Sequence, residues 1–190
     1  MVNNKISKKL NINDFIVDHY IVIIKQLLID YSFITYSEIE FDKRFVLWRH
    51  DIDFSINRAY HLAKIENKLN IRSTYFVHLQ SEFYNPFEKS QHEKLKQIID
   101  LGHCIGLHFD AGFHSVKNEV ELEENINFET KFLSKSLGTD INVFSFHNPR
   151  KEILMFNKKT YAGLINCYSS LFQEKIKYIS DSNGYWRFNR

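Results

Sequence analysis

The stretch RFVLWRHDID, residues 44–53, opens the part of the chain that decides the fold. Residues 44–49 combine aromatic and branched apolar side chains and end in polar residues, which is typical of a short buried strand. The sequence HDID follows directly, so Asp51 and Asp53 are predicted to lie just beyond the end of this strand. A strand with two carboxylates at its carboxyl end is therefore the first expectation.

Apolar strands followed by titratable side chains recur along the rest of the chain. Strands are predicted at 73–79 (STYFVHL), 103–109 (HCIGLHF) and 141–146 (INVFSF), with further strands around 164–168 and at 176–180. The polar residues that end or follow these strands are His108, Asp110, His147, Asn148 and Asp181. The pattern of residues 44–53 is thus repeated.

Helices are predicted between the strands. The apolar residues of 14–31 share one helical face, with Asp14 as a candidate N-cap, and Ser55 can cap a helix over 56–69. A helix over about 91–101 ends at Gly102, and the next helix, acidic in its early turns, ends at Gly138. Strand alternating with helix implies parallel pairing in an α/β sheet or barrel. Because the carboxyl ends of barrel strands converge on one mouth, the titratable residues are predicted to share one site.

The composition is that of a globular chain. The 190 residues include 44% hydrophobic residues but only 6 Gly and 2 Pro, which excludes disordered and collagen-like chains and favours one domain over 1–190. The net charge of +2 offers no polycationic surface to nucleic acid or to an anionic membrane. Nucleic acid is therefore not an expected partner.

The cysteines and the N-terminal sequence bear on the cellular compartment. Cys104 and Cys167 have no CxxC spacing, so neither a disulfide framework nor a cysteine zinc site is indicated. The first residues contain no apolar stretch of signal-peptide length, and the apolar residues of 21–29 are interrupted by Lys25 and Gln26. A cytoplasmic protein without a membrane span is the expectation.

The titratable residues at the predicted mouth are of types that bind a divalent metal ion. Imidazole and carboxylate are zinc ligands, and a catalytic site keeps one position open for water. Each residue type also has an ordinary structural role, because Asp commonly caps turns and His in an apolar strand commonly donates to a core carbonyl. That ordinary role is the interpretation adopted for four histidines, His19, His61, His78 and His92.

Aromatic residues near the strand ends likewise have two interpretations. They can form a platform for a sugar, or they can belong to the core, which is the commoner role of aromatics beside strands. The four residues concerned are Trp48, Tyr75, Phe109 and Trp186.

Four blocks of the sequence resemble the polysaccharide deacetylase superfamily, also called carbohydrate esterase family 4, over roughly 41–187. HDID at 50–53 is similar to the family's first motif, and GHCIGLH at 102–108 is similar to its GHEIGxH block. FSFHNP at 144–149 lies where the family has a strand and an Arg-x-Pro element, with His147 in place of the usual Arg. YISDSNGYW at 178–186 resembles the later Asp and Trp element. The resemblance implies a distorted (β/α) barrel.

The resemblance also implies an activity, the metal-dependent removal of an acetyl group from an N-acetylated sugar. Carried over by position, it implies that Asp51 is the general base and that Asp53 and His108 are metal ligands. The third ligand is expected to be His147, at a strand end facing the same mouth. The alternative is His114, because Gly112 stands where the family commonly has its second His.

Zinc is the expected cofactor and an acetylated sugar the expected partner. Three further polar residues at the mouth are candidate substrate contacts, namely Asp110, Asn148 and Asp181. Asp110 has two other interpretations, since it can orient His108 or simply end its strand.

The family's final strand carries an apolar-His-Pro element whose His protonates the leaving amine, and this sequence has no counterpart of it. The expectation is a barrel incomplete at its C-terminus, with little turnover and a tendency to form homo-oligomers through an unpaired strand. His50 and His114 are the internal candidates for the acid. Three functions compete: a deacetylase in surface-polysaccharide assembly, a carbohydrate-binding pseudoenzyme, and a structural subunit that needs a partner.

Overall fold

The computed structural model describes residues 15–180 and 187–188, which form helices around a six-stranded sheet. The α-helices are α1 (Val17–Leu27), α2 (Ile56–Lys68), α3 (Lys89–Asp100), α4 (Glu119–Leu137) and α5 (Ser170–Lys175). Short 3-10 helices cover Tyr36–Glu38 and Ile153–Met155. None of the α-helices in this described part is both long and apolar enough to cross a membrane.

Ten strands accompany these helices in the described part of the chain. In chain order they are β1 (Ser32–Phe33), β2 (Phe45–Val46), β3 (Arg49–Ile52), β4 (Thr74–Val77), β5 (Cys104–Phe109), β6 (Val143–Phe146), β7 (Thr160–Tyr161), β8 (Leu164–Asn166), β9 (Ile179–Ser180) and β10 (Arg187–Phe188).

The helices end where local sequence signals predict. Ser55 Oγ accepts a hydrogen bond from the main-chain N–H of Arg58 at 3.2 Å, which confirms the N-cap of α2. Gly102 and Gly138 follow α3 and α4 with φ of 90° and 69°, the left-handed conformation that glycine adopts without strain. Helix α1 begins at Val17, later than predicted, and the candidate cap Asp14 lies outside the described residues.

The central sheet confirms the α/β architecture. Its strand order is β3-β4-β5-β6-β8-β7, with parallel pairing from β3 through β8 and an antiparallel β7 at one end. In the described part of the chain β3 and β7 are the two ends of this sheet. The closed barrel implied by the motifs stays an expectation.

Two strands differ from their predicted positions. Within 44–53, Phe45 and Val46 form β2, which pairs with β1 in a separate two-stranded sheet, whereas β3 is Arg49–Ile52. Asp51 therefore lies inside the strand, and only Asp53 follows it. At 176–180, β9 pairs antiparallel with β10 and does not join the central sheet. Apolar runs indicate burial, but the partner strand determines which residues form the ladder.

The two faces of the sheet have different surroundings. On the helix-covered face, buried side chains such as Tyr75, Leu107 and Phe144 belong to one large apolar cluster that includes residues of α2, α3 and α4. On the other face, Phe76 and Val143 belong to a smaller cluster with Tyr36 and Phe172. We call this second side the inner face. Because side chains alternate along a strand, every second residue points to it.

Gly106 lies on the inner face where β5 passes the ring of Phe76. A Cβ at position 106 would lie 2.6 Å from two ring carbons of Phe76, which is fully buried. We expect Gly106→Ala to lower the free energy of unfolding by about 1–3 kcal/mol, because extra volume in a packed core forces its neighbours to move. Urea unfolding measures this change. Adding Phe76→Leu should restore part of the loss, and an alanine variant as stable as the parent would contradict the close contact.

Candidate metal centre

The alternation of side chains brings titratable groups from four neighbouring strands to one end of the inner face. Each of these groups lies two positions after an inner-face residue of its strand. The four residues are Asp53 for β3, His78 for β4, His108 for β5 and His147 for β6. Those strands pair in parallel, so their carboxyl ends lie side by side. Their polar side chains therefore meet.

Three of these side chains meet at nearly equal distances. His147 Nδ1 lies 3.1 Å from Asp53 Oδ1, His108 Nε2 lies 3.2 Å from the same oxygen, and the two ring nitrogens are 3.2 Å apart. A neutral imidazole carries a single N–H, so hydrogen bonds account for these three contacts poorly. Bonds of about 2.0–2.2 Å, the length of zinc bonds to nitrogen and oxygen, can reach a common point from atoms spaced in this way. The three atoms therefore fit a divalent cation.

His108 lacks the contact that a structural core histidine usually makes. It is 2% exposed, and its Nδ1 has no hydrogen-bond partner in the described structure. A core histidine would instead donate to a carbonyl, as His103 can through its Nε2, which lies 2.9 Å from the carbonyl oxygen of Ala63. The polar contacts of the His108 ring are instead those of its Nε2 with Asp53 and His147.

His78 is the residue that the sequence analysis missed. Its ring stacks on that of His147 with centroids 4.3 Å apart, and its buried Nε2 has no hydrogen-bond partner among the described residues. The ligand atoms of Asp53, His78 and His147 lie within 4.8 Å of one another. The rule that selected His108 applies equally here, since His78 also ends a predicted strand. Its assignment to the core overlooked that signal.

The electrostatics of the cluster keep Asp53 ionised. Partial burial by itself raises the pKa of Asp53, but hydrogen bonds and charge from His108 and His147 outweigh it and hold this pKa well below its usual range. The hydrogen bond to Asp53 raises the pKa of His147. Burial, followed by the two neighbouring imidazoles, lowers the pKa of His78 to about 4. At neutral pH the site thus offers an ionised carboxylate and a neutral imidazole.

Asp51 lies beside this cluster and is held by Arg49. Both carboxylate oxygens of Asp51 accept hydrogen bonds from Arg49 Nη2, at 2.7 and 2.6 Å. The same Arg49 nitrogen donates to Ser145 Oγ on β6, and the guanidinium carbon lies 4.8 Å from the ring centroid of Phe76. The carbonyl of Asp51 accepts from the N–H of Asp53 at 3.1 Å. These contacts fix the carboxylate next to the candidate ligands.

The predicted substrate contacts fall in different surroundings. Asp110 Oδ1 accepts hydrogen bonds from the N–H groups of Gly112 and Phe113, at 2.8 and 3.0 Å, so this carboxylate shapes the turn after β5. Asn148 Nδ2 lies 3.0 Å from His147 Nε2. Asp181 lies outside the described residues.

The two internal histidines considered as acids face buried glutamates. His50 points to the helix-covered side, where its Nε2 lies 2.5 Å from Glu66 Oε1 of α2. His114 Nε2 contacts Glu129 Oε1 of α4, and its ring stacks on Phe109. In the described structure it is therefore His147, and not His114, that reaches Asp53.

Comparison with solved structures bears on the fold. A deacetylase from Streptococcus pyogenes, PplD, solved with acetate, matches with a TM-score of 0.54 and 13% identity, over 73% of this chain and 66% of its own. Two Bacillus anthracis structures, a family 4 carbohydrate esterase pseudoenzyme and a family 4 carbohydrate esterase, give TM-scores of 0.48 and 0.44 at 11% and 17% identity. The match to the pseudoenzyme covers 63% of this chain and 41% of the pseudoenzyme. The match to the esterase covers 65% of this chain and 56% of the esterase.

This chain spans less than two thirds of the length of each of these proteins. Neither the models of protein families nor the curated proteins give a sequence match. The likeness to the deacetylase therefore concerns the arrangement of strands and helices. This chain has the fold of the polysaccharide deacetylases.

Proposed function

We propose that this chain is a metal-dependent hydrolase that removes an acetyl group from an N-acetylated sugar. The observation that carries the proposal is the meeting of Asp53, His108 and His147 at 3.1–3.2 Å, beside an Asp51 carboxylate held by Arg49. An amide hydrolase needs a group that activates water and a base that takes its proton, and this pair of features supplies both.

Asp53, His108 and His147 would hold the ion, and zinc suits a set of two imidazoles and one carboxylate. When bound, such an ion polarises a carbonyl oxygen and lowers the pKa of a water molecule toward about 7. Asp53 is ionised and His78 is neutral, so neither repels the incoming cation. The stacked ring of His78 holds the imidazole of His147 in its orientation.

Asp51 takes the proton of the attacking water in this proposal. Its two hydrogen bonds from Arg49 leave further lone pairs free, because a carboxylate has about four acceptor sites. The side chain is 29% exposed, so water reaches it. Arg49 is a positioning residue in this proposal, since its guanidinium contacts Asp51, Ser145 and Phe76 and so fixes the carboxylate.

A second candidate function is carbohydrate binding without turnover. It is favoured by one observation: His50 and His114, the internal candidates for the leaving-group acid, both contact buried glutamates away from the three candidate ligands. An amine expelled without a proton is a poor leaving group. Measurement of acetate release from N-acetylated sugars distinguishes the two functions. Metal binding does not distinguish them, because both allow it.

We expect the purified chain to hold about one zinc ion, and the Asp53→Ala and His147→Ala variants to bind zinc at least about 100-fold more weakly, because each loses a ligand. His114→Gln should keep the affinity of the parent, since glutamine can still donate to Glu129. Competition with a chromogenic chelator gives all four affinities. Loss of zinc in the His114 variant but not in the His147 variant would exchange their roles, and a parent chain without affinity would refute the metal centre.

A further inference from the structure

The loop after β6 holds one residue in an unusual backbone conformation. Asn148 has a φ of 38°, in the left-handed region that residues other than glycine rarely adopt. The next residue is Pro149, and the residue before a proline is normally extended. The other described non-glycine residues with positive φ, namely Asn70, Ser115 and Ala162, do not precede a proline. Such strain persists only where surrounding contacts hold it, and it is concentrated at functional sites.

The side chain of Asn148 contacts the neighbouring candidate ligand. Its Nδ2 lies 3.0 Å from His147 Nε2. An asparagine that shapes a turn commonly accepts a main-chain N–H two residues later, as Asn85 Oδ1 does from Phe87 at 3.0 Å. Within the described residues, Asn148 makes no bond of that kind. The strained backbone therefore places the amide against the imidazole and does not serve an ordinary asparagine turn.

The remaining contacts of His147 leave this one position to be filled. The main-chain N–H of His147 donates to the carbonyl of Phe109 at 2.8 Å, and the ring stacks on that of His78. Nδ1 faces Asp53 Oδ1 at 3.1 Å. Nε2 is thus the ring nitrogen that points away from the three candidate ligand atoms, and Asn148 is its partner.

The chemistry of imidazole explains why Nε2 needs such a partner. An imidazole that binds a cation through Nδ1 carries its proton on Nε2, and that N–H requires an acceptor. An amide has an acceptor oxygen and a donor nitrogen, so Asn148 can pair with Nε2 whether or not this nitrogen carries the proton. A hydrogen bond from a more positive donor is stronger. The amide therefore favours the form of the ring that binds a cation.

We propose that Asn148 is a positioning residue for His147. Its amide holds the ring with Nδ1 toward Asp53 and accepts the Nε2 proton when an ion is bound. This role replaces the substrate contact that the sequence predicted for Asn148. The part that concerns the ion rests on the metal centre of the proposed function, whereas the part that concerns the ring applies to the metal-free chain as well.

Asn148→Gly tests the side chain separately from the backbone. Glycine adopts the left-handed conformation without strain, so this variant removes the amide and keeps the loop. We expect its zinc affinity to fall by about tenfold, measured by competition with a chromogenic chelator. Its midpoint of urea unfolding should stay at or above that of the parent. Asn70→Gly is the matched control, because Asn70 is an exposed asparagine after α2 with a φ of 55°, and it should leave the zinc affinity unchanged.

A second measurement uses the metal-free chain. Nitrogen-15 NMR at about pH 9, well above the ordinary pKa of imidazole, reports which ring nitrogen of His147 carries the proton. Asn148→Gly should shift the Nε2 signal, and Asn70→Gly should not. Asn148→Asp offers Nε2 only an acceptor, so the proton should lie on Nε2 and the zinc affinity should at least equal that of the parent.

The outcomes separate this inference from the proposed function. If the parent binds zinc and Asn148→Gly binds it equally tightly with unchanged His147 signals, the positioning role alone is overturned. It is also overturned if Asn148→Gly unfolds at lower urea than the parent, since the side chain then serves stability. If the parent has no zinc affinity but Asn148→Gly still shifts the Nε2 signal, the metal centre fails and the positioning of the ring stands.

Discussion

Asp51→Asn is expected to lower the rate of acetate release by about 10²- to 10⁴-fold while zinc stays bound. The amide has nearly the shape of the carboxylate, and its Oδ1 can still accept a hydrogen bond from Arg49. It is a very poor base, however, so it cannot take a proton from water. Steady-state kinetics and chelator competition on the same samples give the rate and the zinc affinity.

Asp42→Asn serves as the control for this substitution, since Asp42 is an exposed aspartate outside the central sheet. It should leave both rate and zinc affinity unchanged. If Asp51→Asn loses zinc in proportion to its activity, Asp51 is a ligand and not the base. An unchanged rate with zinc retained would remove Asp51 from the reaction altogether.

Glu66→Ala is expected to lower the free energy of unfolding by about 3–5 kcal/mol, the usual cost of removing one partner from a buried charged network. Glu66 is fully buried on α2. Its carboxylate accepts hydrogen bonds from Tyr20 Oη of α1 and from Tyr75 Oη of β4, the latter at 2.7 Å, and it contacts His50 of β3. Without Glu66, these groups lose their common partner in the core. Urea unfolding measures the loss.

Tyr75→Phe is the control for this network, because it removes the hydrogen bond that Tyr75 Oη donates to Glu66 and should cost about 1.5–3 kcal/mol, the usual value for a bond to a charged group. A loss below that range for Glu66→Ala would show that the network adds little to stability.

Acid provides a second readout. Burial raises the pKa of Glu66, but His50 and the two tyrosines lower it to about 2, below the ordinary value of 4.5. The stabilisation is therefore complete above about pH 4.5 and is lost as the pH falls toward 2.

Much of the fold follows from local signals. Strand alternating with helix predicted the parallel sheet, and Ser55 and Gly138 predicted helix ends, because caps depend on residues only a few positions away. The first strand of the central sheet was predicted at the wrong residues. The apolar residues Phe45 and Val46 indicated a strand there, but the more polar β3 is the strand that pairs with β4, because the hydrogen bonds of a ladder are made by main-chain groups.

The aromatic residues illustrate the same limit. Tyr75 and Phe109, which the sequence left between platform and core, are fully buried and belong to the core, while Trp186 lies outside the described residues. An exposed aromatic pair that the sequence did not suggest is Phe54 and Phe83, whose rings are in contact although the residues are 29 positions apart in sequence. Exposure depends on what packs over a residue, and the pattern of neighbouring residues does not contain that information.

The sequence by itself determined which residue types end the parallel strands, and therefore that carboxylates and imidazoles gather at one edge. Only the tertiary structure decided which of the 9 histidines meet there. Asp53 and His147 are 94 positions apart in sequence, yet Asp53 Oδ1 and His147 Nδ1 are 3.1 Å apart. The ring of His78 stacks on that of His147, a contact that the sequence alone does not predict. His50 and His114 instead contact the buried glutamates Glu66 and Glu129. The physical reason is that side-chain direction alternates within each strand, whereas the register between strands is set by packing of the whole sheet.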